Sequence, residues 1–395
     1  MPKDILAAQM LLPEMKMLGV RRGPGGGVDT VVEMTSPVEV CPRCATPSRS
    51  VYDRRWVVVR DEPMRRCETR FKIRKRRFMC RPCGLPFTEP VQGIIKGKRT
   101  TERFAKAVQV ACEDYVDLKK VRERFRCSGG YVYSVLYRHI ELNLRKNRTS
   151  WPERVGIDEH FFKRGKGFER RRFVTMVVDQ SGGRLLEVAD GKQGADVEHA
   201  VRHLTGRENV RWVSIDMSGS YRKFATEHFP NAQIVADKFH VLALPMGALM
   251  KYRKEAEGGK TTAYLRKILL SPGYQVLDYW RPRLKEWLKK YPALEAVYWA
   301  KERLSRFYRM KSVTQAAKEL TRLTNDLCLS PVPELRRLRH TLKTWRIPIL
   351  NFWTSKQTNA RVEGFNTKAK LVKRRAYGYI SFPNYRLRLL NACGT

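Results

Sequence analysis

Glu363 is a single carboxylate in a stretch, Asn359 to Tyr379, whose other charges are Arg361, Lys368, Lys370, Lys373, Arg374 and Arg375. Read as a helix, Val362, Phe365, Ala369 and Val372 make an apolar stripe, while Glu363, Asn366, Thr367, Lys370 and Arg374 share the polar side. A row of cations suits a phosphate backbone, and a carboxylate beside them repels that backbone unless a divalent cation comes between. Glu363 therefore reads as a metal ligand held against nucleic acid; taken alone, it reads instead as a surface acid pairing with Asn359 or Arg361 at the helix start. Two more acids give it company. Val155-Gly156-Ile157-Asp158 and Trp212-Val213-Ser214-Ile215-Asp216 are apolar strands that each end in an aspartate. Singly, either aspartate would serve as the cap of a strand-end turn. Grouped with Glu363, they make a set of hard oxygen ligands suited to Mg2+ or Mn2+, two ions per site, and so to phosphodiester displacement.

A second set of residues points to a different metal. Cys41-Pro42-Arg43-Cys44 and Cys80-Arg81-Pro82-Cys83 are two C-x-x-C pairs, and four thiolates in two close pairs close a tetrahedral zinc site with the intervening residues as the strands of a zinc ribbon. Cys67, single and in mid-strand, reads as a small core residue. Within the ribbon Arg70, Lys72, Arg74 and Arg76 alternate with Phe71 and Ile73, which sets a row of cations on one strand face for DNA phosphates.

The elements that must carry these residues follow from periodicity. Ile5 to Leu18 reads as a short Met-rich helix and Val28 to Met34 as a strand. Past Thr101 the period becomes helical: Phe104, Val108 and Ala111, then Leu118, Val121 and Phe125, then Val132, Leu136 and Ile140, with Ser128-Gly129-Gly130 as the turn before the third helix. This is a helix-turn-helix pattern whose third helix would present Tyr131, Tyr133, Ser134 and Arg138 to DNA. After Asp158, strands are expected at Phe173–Val178 and Leu185–Val188, a helix at Ala195–Leu204, the Asp216 strand, a helix from Ser218 and a strand at Gln233–Ala236. Three strands, helix, strand, helix, strand, helix is the ribonuclease H-like order, which sets Asp158 and Asp216 on adjacent central strands. Asp237 and His240, three apart at a helix start, read as supports for the site or as an N-cap and a packed ring. The long interval before Glu363 implies a helical insertion over 242–350, rich in aromatics such as Tyr279, Trp287, Trp299, Phe307 and Trp345.

Composition agrees with a nucleic-acid partner. Across 395 residues, 79 Lys and Arg against 39 Asp and Glu leave a net charge of +40. The longest uncharged apolar run, Val241 to Met250, is too short to span a membrane. Nine cysteines, an odd number, with no secretory pattern fit metal binding in a reducing cytoplasm rather than disulfides.

Val155-Gly156-Ile157-Asp158-Glu159, Val213-Ser214-Ile215-Asp216-Met217-Ser218, Ala236-Asp237-Lys238-Phe239-His240-Val241, Asn359-Ala360-Arg361-Val362-Glu363-Gly364-Phe365-Asn366 and Lys373-Arg374-Arg375-Ala376-Tyr377-Gly378-Tyr379 resemble the transposases of the bacterial insertion-sequence family ISL-three. The resemblance covers nearly the whole chain and implies a DDE transposase with Asp158, Asp216 and Glu363 as its metal-binding triad. Ala45 departs from it, since such ribbons carry glycine after the first knuckle. The implied organisation is multidomain α/β: an amino-terminal helix and strand at 1–35, a zinc ribbon at 36–95, a helix-turn-helix at 96–148, a ribonuclease H-like core at 149–241 and 351–395, and the helical insertion at 242–350. Its substrates would be double-stranded transposon ends and target DNA, bound by a dimer or larger oligomer, with Arg361, Asn366, Lys370, Lys373, Arg374 and Arg375 near the backbone. A DNA-binding regulator descended from such an enzyme, or a structure-selective nuclease of the same fold class, are the rival readings.

Overall fold

Arg70, Lys72 and Arg74 alternate with Phe71 and Ile73 on the second of two long paired strands spanning residues 51–80, and that ribbon organises the amino-terminal part of the molecule. A computed structural model describes residues 10–114, 117–146, 150–163, 171–256 and 263–394. The chain divides into two units, Met1–Leu142 and Asn143–Thr395.

In the first unit the strands are β1 (Met15–Arg22), β2 (Val28–Met34), the short pair β3 (Glu39–Val40) and β4 (Pro47–Ser48), β5 (Val51–Met64), β6 (Cys67–Cys80) and β7 (Leu85–Thr88). The sheet runs β1-β2-β6-β5, with β7 also on β6. One face buries Val32, Val59, Phe71 and Ile73 together with Leu12, Met15, Met34 and Val91. Of the helix expected over Ile5 to Leu18, only Met10 is helical among the described residues, and from Met15 onward the chain is β1, paired antiparallel with β2. Pairing with β2 satisfies one edge of this backbone and buries Met15, an arrangement that local Met-rich propensity did not announce. Residues 5–9 lie outside the described residues.

Three helices follow, α1 (Glu102–Asp114), α2 (Leu118–Phe125) and α3 (Gly129–Lys146). Their stripes meet as the periodicity predicts: Phe104, Val108, Val121, Phe125, Val132, Leu136 and Ile140 are all buried, and Phe104 meets Phe125 edge-on at 5.8 Å. Asp117 caps α2 through the Lys119 amide at 2.8 Å, and the Tyr131 amide donates to Ser128 Oγ at 3.2 Å at the start of α3.

The second unit is built on β8 (Arg154–Lys163), β9 (Arg172–Asp179), β10 (Arg184–Ala189), β11 (Trp212–Ile215) and β12 (Gln233–Ala236) in the order β10-β9-β8-β11-β12. The first three are antiparallel neighbours, and β11 and β12 join them in parallel. Both faces are covered. Val155, Ile157, Val177, Val213 and Ile215 pack into one cluster with Val197 and Val201 of α4 (Gly194–Val201) and Tyr221 and Phe224 of α5 (Gly219–His228). Val174, Met176 and Val178, on the opposite face, pack with residues from the chain's last two helices. A sheet buried on both sides explains why these strands read as continuous apolar runs.

Between the core segments come α6 (Lys238–Ala243), α7 (Met246–Ala256), α8 (Ala263–Leu270), α9 (Arg281–Lys289), α10 (Pro292–Phe307), α11 (Val313–Cys328), α12 (Pro333–Thr344) and α13 (Arg346–Ser355). Their aromatics are chiefly core: Phe307, Tyr308, Trp345 and Trp353 are buried, whereas Tyr279 and Trp299 are exposed. Lys301 of α10 is buried with Glu302 at 2.5 Å and donates to the carbonyls of Leu269 and Ser271. The chain then returns to the sheet as α14 (Ala360–Arg375) and α15 (Phe382–Cys393).

Candidate active site

Parallel pairing of β11 with β8 matches Ser214 to Gly156, so Asp158 and Asp216, two residues further on, stand at one level; β8 does not end at Asp158 as expected but runs on to Lys163, because its pairing with β9 continues past the acid. Asp237 follows β12 as Asp216 follows β11, and its amide donates to the Ile215 carbonyl at 2.8 Å. Three strands thus deliver three acids to one edge of the core. Asp158 is buried; its Oδ1 accepts from the Glu159 amide at 2.8 Å and its Oδ2 from Asn366 Nδ2 at 2.9 Å. Burial raises its carboxyl to about 6, the Asp216 charge adds to the rise, and His240 opposes it. Asp216, whose Oδ1 accepts from the Ser218 amide at 3.0 Å, is also shifted upward, again chiefly by burial.

Asp237 does more than cap α6. Its Oδ2 pairs with His240 Nδ1 at 2.8 Å, and its Oδ1 accepts the Asn359 amide at 3.2 Å. The Asp237 hydrogen bond, aided by the charges of Asp158 and Asp216, raises the imidazole to about 9. His240 is therefore a cation at neutral pH, facing the two upward-shifted aspartates.

A buried polar chain that the sequence did not announce fixes the start of α14. Asn359 Oδ1 accepts from Gln180 Nε2 at 3.1 Å and from the Ser214 hydroxyl, and Gln357 Nε2 donates to the Val155 carbonyl at 3.1 Å. Arg361 Nη1 donates to the carbonyls of Gln180 and Ser181 in the β9–β10 turn. The helix then lies hard on β8. A Cβ on Gly156 would stand 2.6 Å from Val362 Cγ2 and 2.4 Å from Gln180 Nε2, so only glycine admits this approach. The one signal in the sequence was that glycine, two residues before the acid.

Glu363 sits in the first turn of α14, three residues before Asn366, and is exposed. Its carboxylate does not close with Asp158 and Asp216 into a ligand-spaced group: among the described residues, the four cysteines are the one set of three or more such side chains whose ligand atoms lie within 4.8 Å of one another. Bare carboxylates repel, and convergence of this kind is worked against until positive charge enters. The donors nevertheless suit a hard cation. Asn366 Oδ1 is a buried carbonyl oxygen with no hydrogen-bond partner, directly beside Asp158.

The remaining predicted contact residues divide by what holds them. Lys373 donates to the Phe161 and Phe162 carbonyls at 2.6 and 3.0 Å, which ties it to β8; Lys370, Arg374 and Arg375 are exposed. On β6, Arg70 pairs with Asp29 at 2.8 Å and Arg76 with the buried Glu89 at 2.8 Å, while Lys72 lies over the exposed Trp56 ring and Arg74 is exposed. On α3, Tyr131 donates to Thr100 Oγ1 at 3.1 Å and packs on Phe104; Tyr133, Ser134 and Arg138 are exposed.

In the cysteine cluster, Cys44 and Cys80 sulfurs are 3.5 Å apart, close to the roughly 3.8 Å edge of a zinc–thiolate tetrahedron. Hydrogen bonds to Thr46 acidify Cys44 to about 6, and Cys44 and Cys80 push Cys83 up to about 12. Four thiols so close cannot all ionise without a cation among them. Each knuckle turns through a left-handed residue, Ala45 at φ 55° and Gly84 at φ 66°, so the turn forms despite the missing glycine. Cys67 is exposed, contrary to the core position expected of it. It opens the strand that Cys80 closes, roughly 40 Å away in an extended chain.

A family model for ISL3-type DDE enzymes, described as transposase, matches residues 155–389. The chain belongs to this transposase family. It is 25% identical over 370 residues to the transposase for insertion sequence element IS1001 of Bordetella parapertussis, covering 90% of this chain and 89% of that one. It is also 31% identical over 149 residues to the transposase for insertion sequence element IS1557 of Mycobacterium tuberculosis, covering 37% of this chain and 32% of that protein. An insertion-sequence DDE transposase is a metal-dependent enzyme acting on DNA, and its catalytic core is ribonuclease H-like. The β10-β9-β8-β11-β12 sheet supplies that core. Among the described residues, no helix is long and apolar enough to cross a membrane.

Proposed function

We propose that Asp158, Asp216 and Glu363 are the catalytic carboxylates of this transposase, with Mg2+ or Mn2+ as their ions. The observation that carries the reading is the hydrogen bond from Asn366 to Asp158, which seats the Glu363 helix against the strand of the first aspartate beside the second. Bound divalent ions would activate the attacking oxygen and stabilise the leaving one in phosphodiester displacement. Asp158, within β8, and Asp216, just past the end of β11, hold the negative charge that draws such ions. Glu363, exposed on the first turn of a helix whose amino end is pinned by Asn359, would complete the oxygen set around bound ions. Asp237 keeps His240 charged and oriented toward the aspartates, where it offsets their repulsion.

The enzyme would cleave at the terminal inverted repeats of its element and join the freed 3′-hydroxyl to target DNA, working as a dimer or larger assembly because two ends must be paired. The cysteine cluster would hold Zn2+. Helices α2 and α3 would act as a helix-turn-helix, with Tyr133, Ser134 and Arg138 as the groove contacts. Of the four cations predicted on β6, Lys72 and Arg74 are left for phosphates, and Arg74's cross-strand neighbour is Trp56. Lys370, Arg374 and Arg375 would hold the backbone near the triad.

The test is Mg2+-dependent cleavage of a duplex carrying the DNA that flanks the reading frame. Glu363→Gln and Asp216→Ala are expected to lose cleavage by more than a thousandfold while binding that duplex within about threefold of wild type. Cleavage unchanged in either variant sinks the triad. Cleavage without joined product, given pre-cut ends, favours the nuclease reading.

A further inference from the structure

The segment that leaves α14 carries a feature the triad does not use. Tyr377 and Ile380 are 91% and 93% exposed, the two large apolar side chains most open to solvent among the described residues. They are not loose. The Gly378 amide donates to the Lys373 carbonyl at 2.9 Å and the Tyr377 amide to the Arg374 carbonyl at 3.1 Å, which is a Schellman closure of the helix. Lys163 Nζ donates to the Ile380 carbonyl at 2.7 Å, and the intervening Tyr379 packs on Tyr385 at 5.2 Å. The backbone is tied at three points and two apolar side chains are left outside.

Tyr377 also occupies the left-handed position of that closure, at φ 53°. Glycine is the usual residue there, because any side chain crowds the following carbonyl. A tyrosine that strains its backbone and buries almost none of its ring is poorly explained by stability of this chain. Its surroundings name a partner. The last turn of α14 holds Arg374 and Arg375, both exposed, with Lys370 exposed one turn earlier, a setting that draws polyanion and rejects most protein surfaces. Apolar side chains standing among phosphate-binding cations suit insertion between base pairs, which partly unstacks a step and bends the duplex.

We propose that Tyr377 and Ile380 form a wedge that enters duplex DNA and opens a base step near the cleavage site. The inference rests on the transposase reading above. From Glu363 to the end of α14 the helix runs about 18 Å at 1.5 Å per residue, so the opened step lies about five or six base pairs from the phosphate being cut, at 3.4 Å per pair. Tyrosine would supply the stacking face and isoleucine the filling bulk.

The experiment uses the full-length protein and a duplex of the DNA flanking the reading frame, with 2-aminopurine placed in turn at positions four to eight from the cleavage point. Binding is followed in Ca2+, so fluorescence is read without strand cutting. Wild type is expected to raise the fluorescence at one or two adjacent positions at least threefold. Tyr377→Phe should keep this signal, and Tyr377→Gly with Ile380→Ala should lose it. Tyr377→Gly should also melt at a higher temperature than wild type, because the left-handed residue is relieved, so loss of signal cannot be charged to misfolding. In Mg2+ the double variant should cut paired ends at least tenfold more slowly, and a mismatch at the opened step should restore the rate to within about twofold. Unchanged fluorescence in the double variant, or a slow rate that no mismatch repairs, overturns the wedge. A variant that loses self-association but still opens the duplex assigns the loop to contact between copies, and overturns it too. If Asp216→Ala still cuts, the triad fails, while the fluorescence in Ca2+ continues to decide the wedge.

Discussion

At the scale of single residues, the aspartate that most needs a cation is also the one that weakens the fold without one. Burial lifts Asp158 from its ordinary 3.8 to about 6, so ionisation costs more in the folded than in the unfolded chain. The sign follows: Asp158 destabilises as pH rises from about 4 through 6, and the penalty is complete at neutrality. Asp158→Asn should therefore raise the stability of the metal-free protein at pH 7 by about 1–3 kcal/mol, measured by urea unfolding, while abolishing cleavage. For the wild type, cleavage at limiting Mg2+ should fall as pH drops below about 6, and saturating Mg2+ should move that fall to lower pH, because a bound cation favours the carboxylate. Ala45 offers the opposite case, a strained residue with a simple remedy. At φ 55° it stands where glycine fits, and Ala45→Gly should stabilise the cysteine-bearing unit by about 1 kcal/mol, seen as a higher midpoint in chemical denaturation.

At the scale of elements, the decisive contact is a helix lying on a strand. Gly156 lets α14 approach β8, and a methyl group there would collide with Val362 and Gln180. Gly156→Ala should cost about 1–3 kcal/mol of stability and reduce cleavage far more than DNA binding, since it moves Asn366 and Glu363 away from Asp158 together. Thermal melting and filter binding on the same preparation separate the two effects. The core strands, their succession along the chain and the three helices after Thr101 were legible in the sequence because their apolar periods are unbroken, whereas the β10-β9-β8-β11-β12 arrangement and α15 are set by pairing and packing between distant segments. Met15 to Leu18 was not, because an edge strand with one buried methionine has no period of its own and takes its conformation from β2. The network of Gln180, Ser214, Gln357 and Asn359 was equally hidden, since a buried amide and a surface amide are spelled the same way.

At the scale of the molecule, the proposed zinc and divalent-cation sites fall in different units, and they should respond separately. Removing zinc with a thiol-competing chelator should lower the melting transition of the cysteine-bearing unit by about 10 °C or more and leave that of the ribonuclease H-like unit within about 2 °C, as followed by calorimetry. A single shifted transition would show that the units unfold as one.

The sequence by itself pointed to the reaction class, because hard carboxylates set on apolar strands are chemistry written in residue types and spacing. It also determined the DNA partner, through a net charge of +40. Only the tertiary structure decided which cations are available for that partner. Arg70, Arg76, Arg361 and Lys373 are occupied by Asp29, Glu89 and backbone carbonyls, whereas Lys72, Arg74, Lys370, Arg374 and Arg375 are not so held. Charge is a property of a residue, but its availability depends on what the fold brings within hydrogen-bonding reach, and that is settled by packing across long stretches of chain.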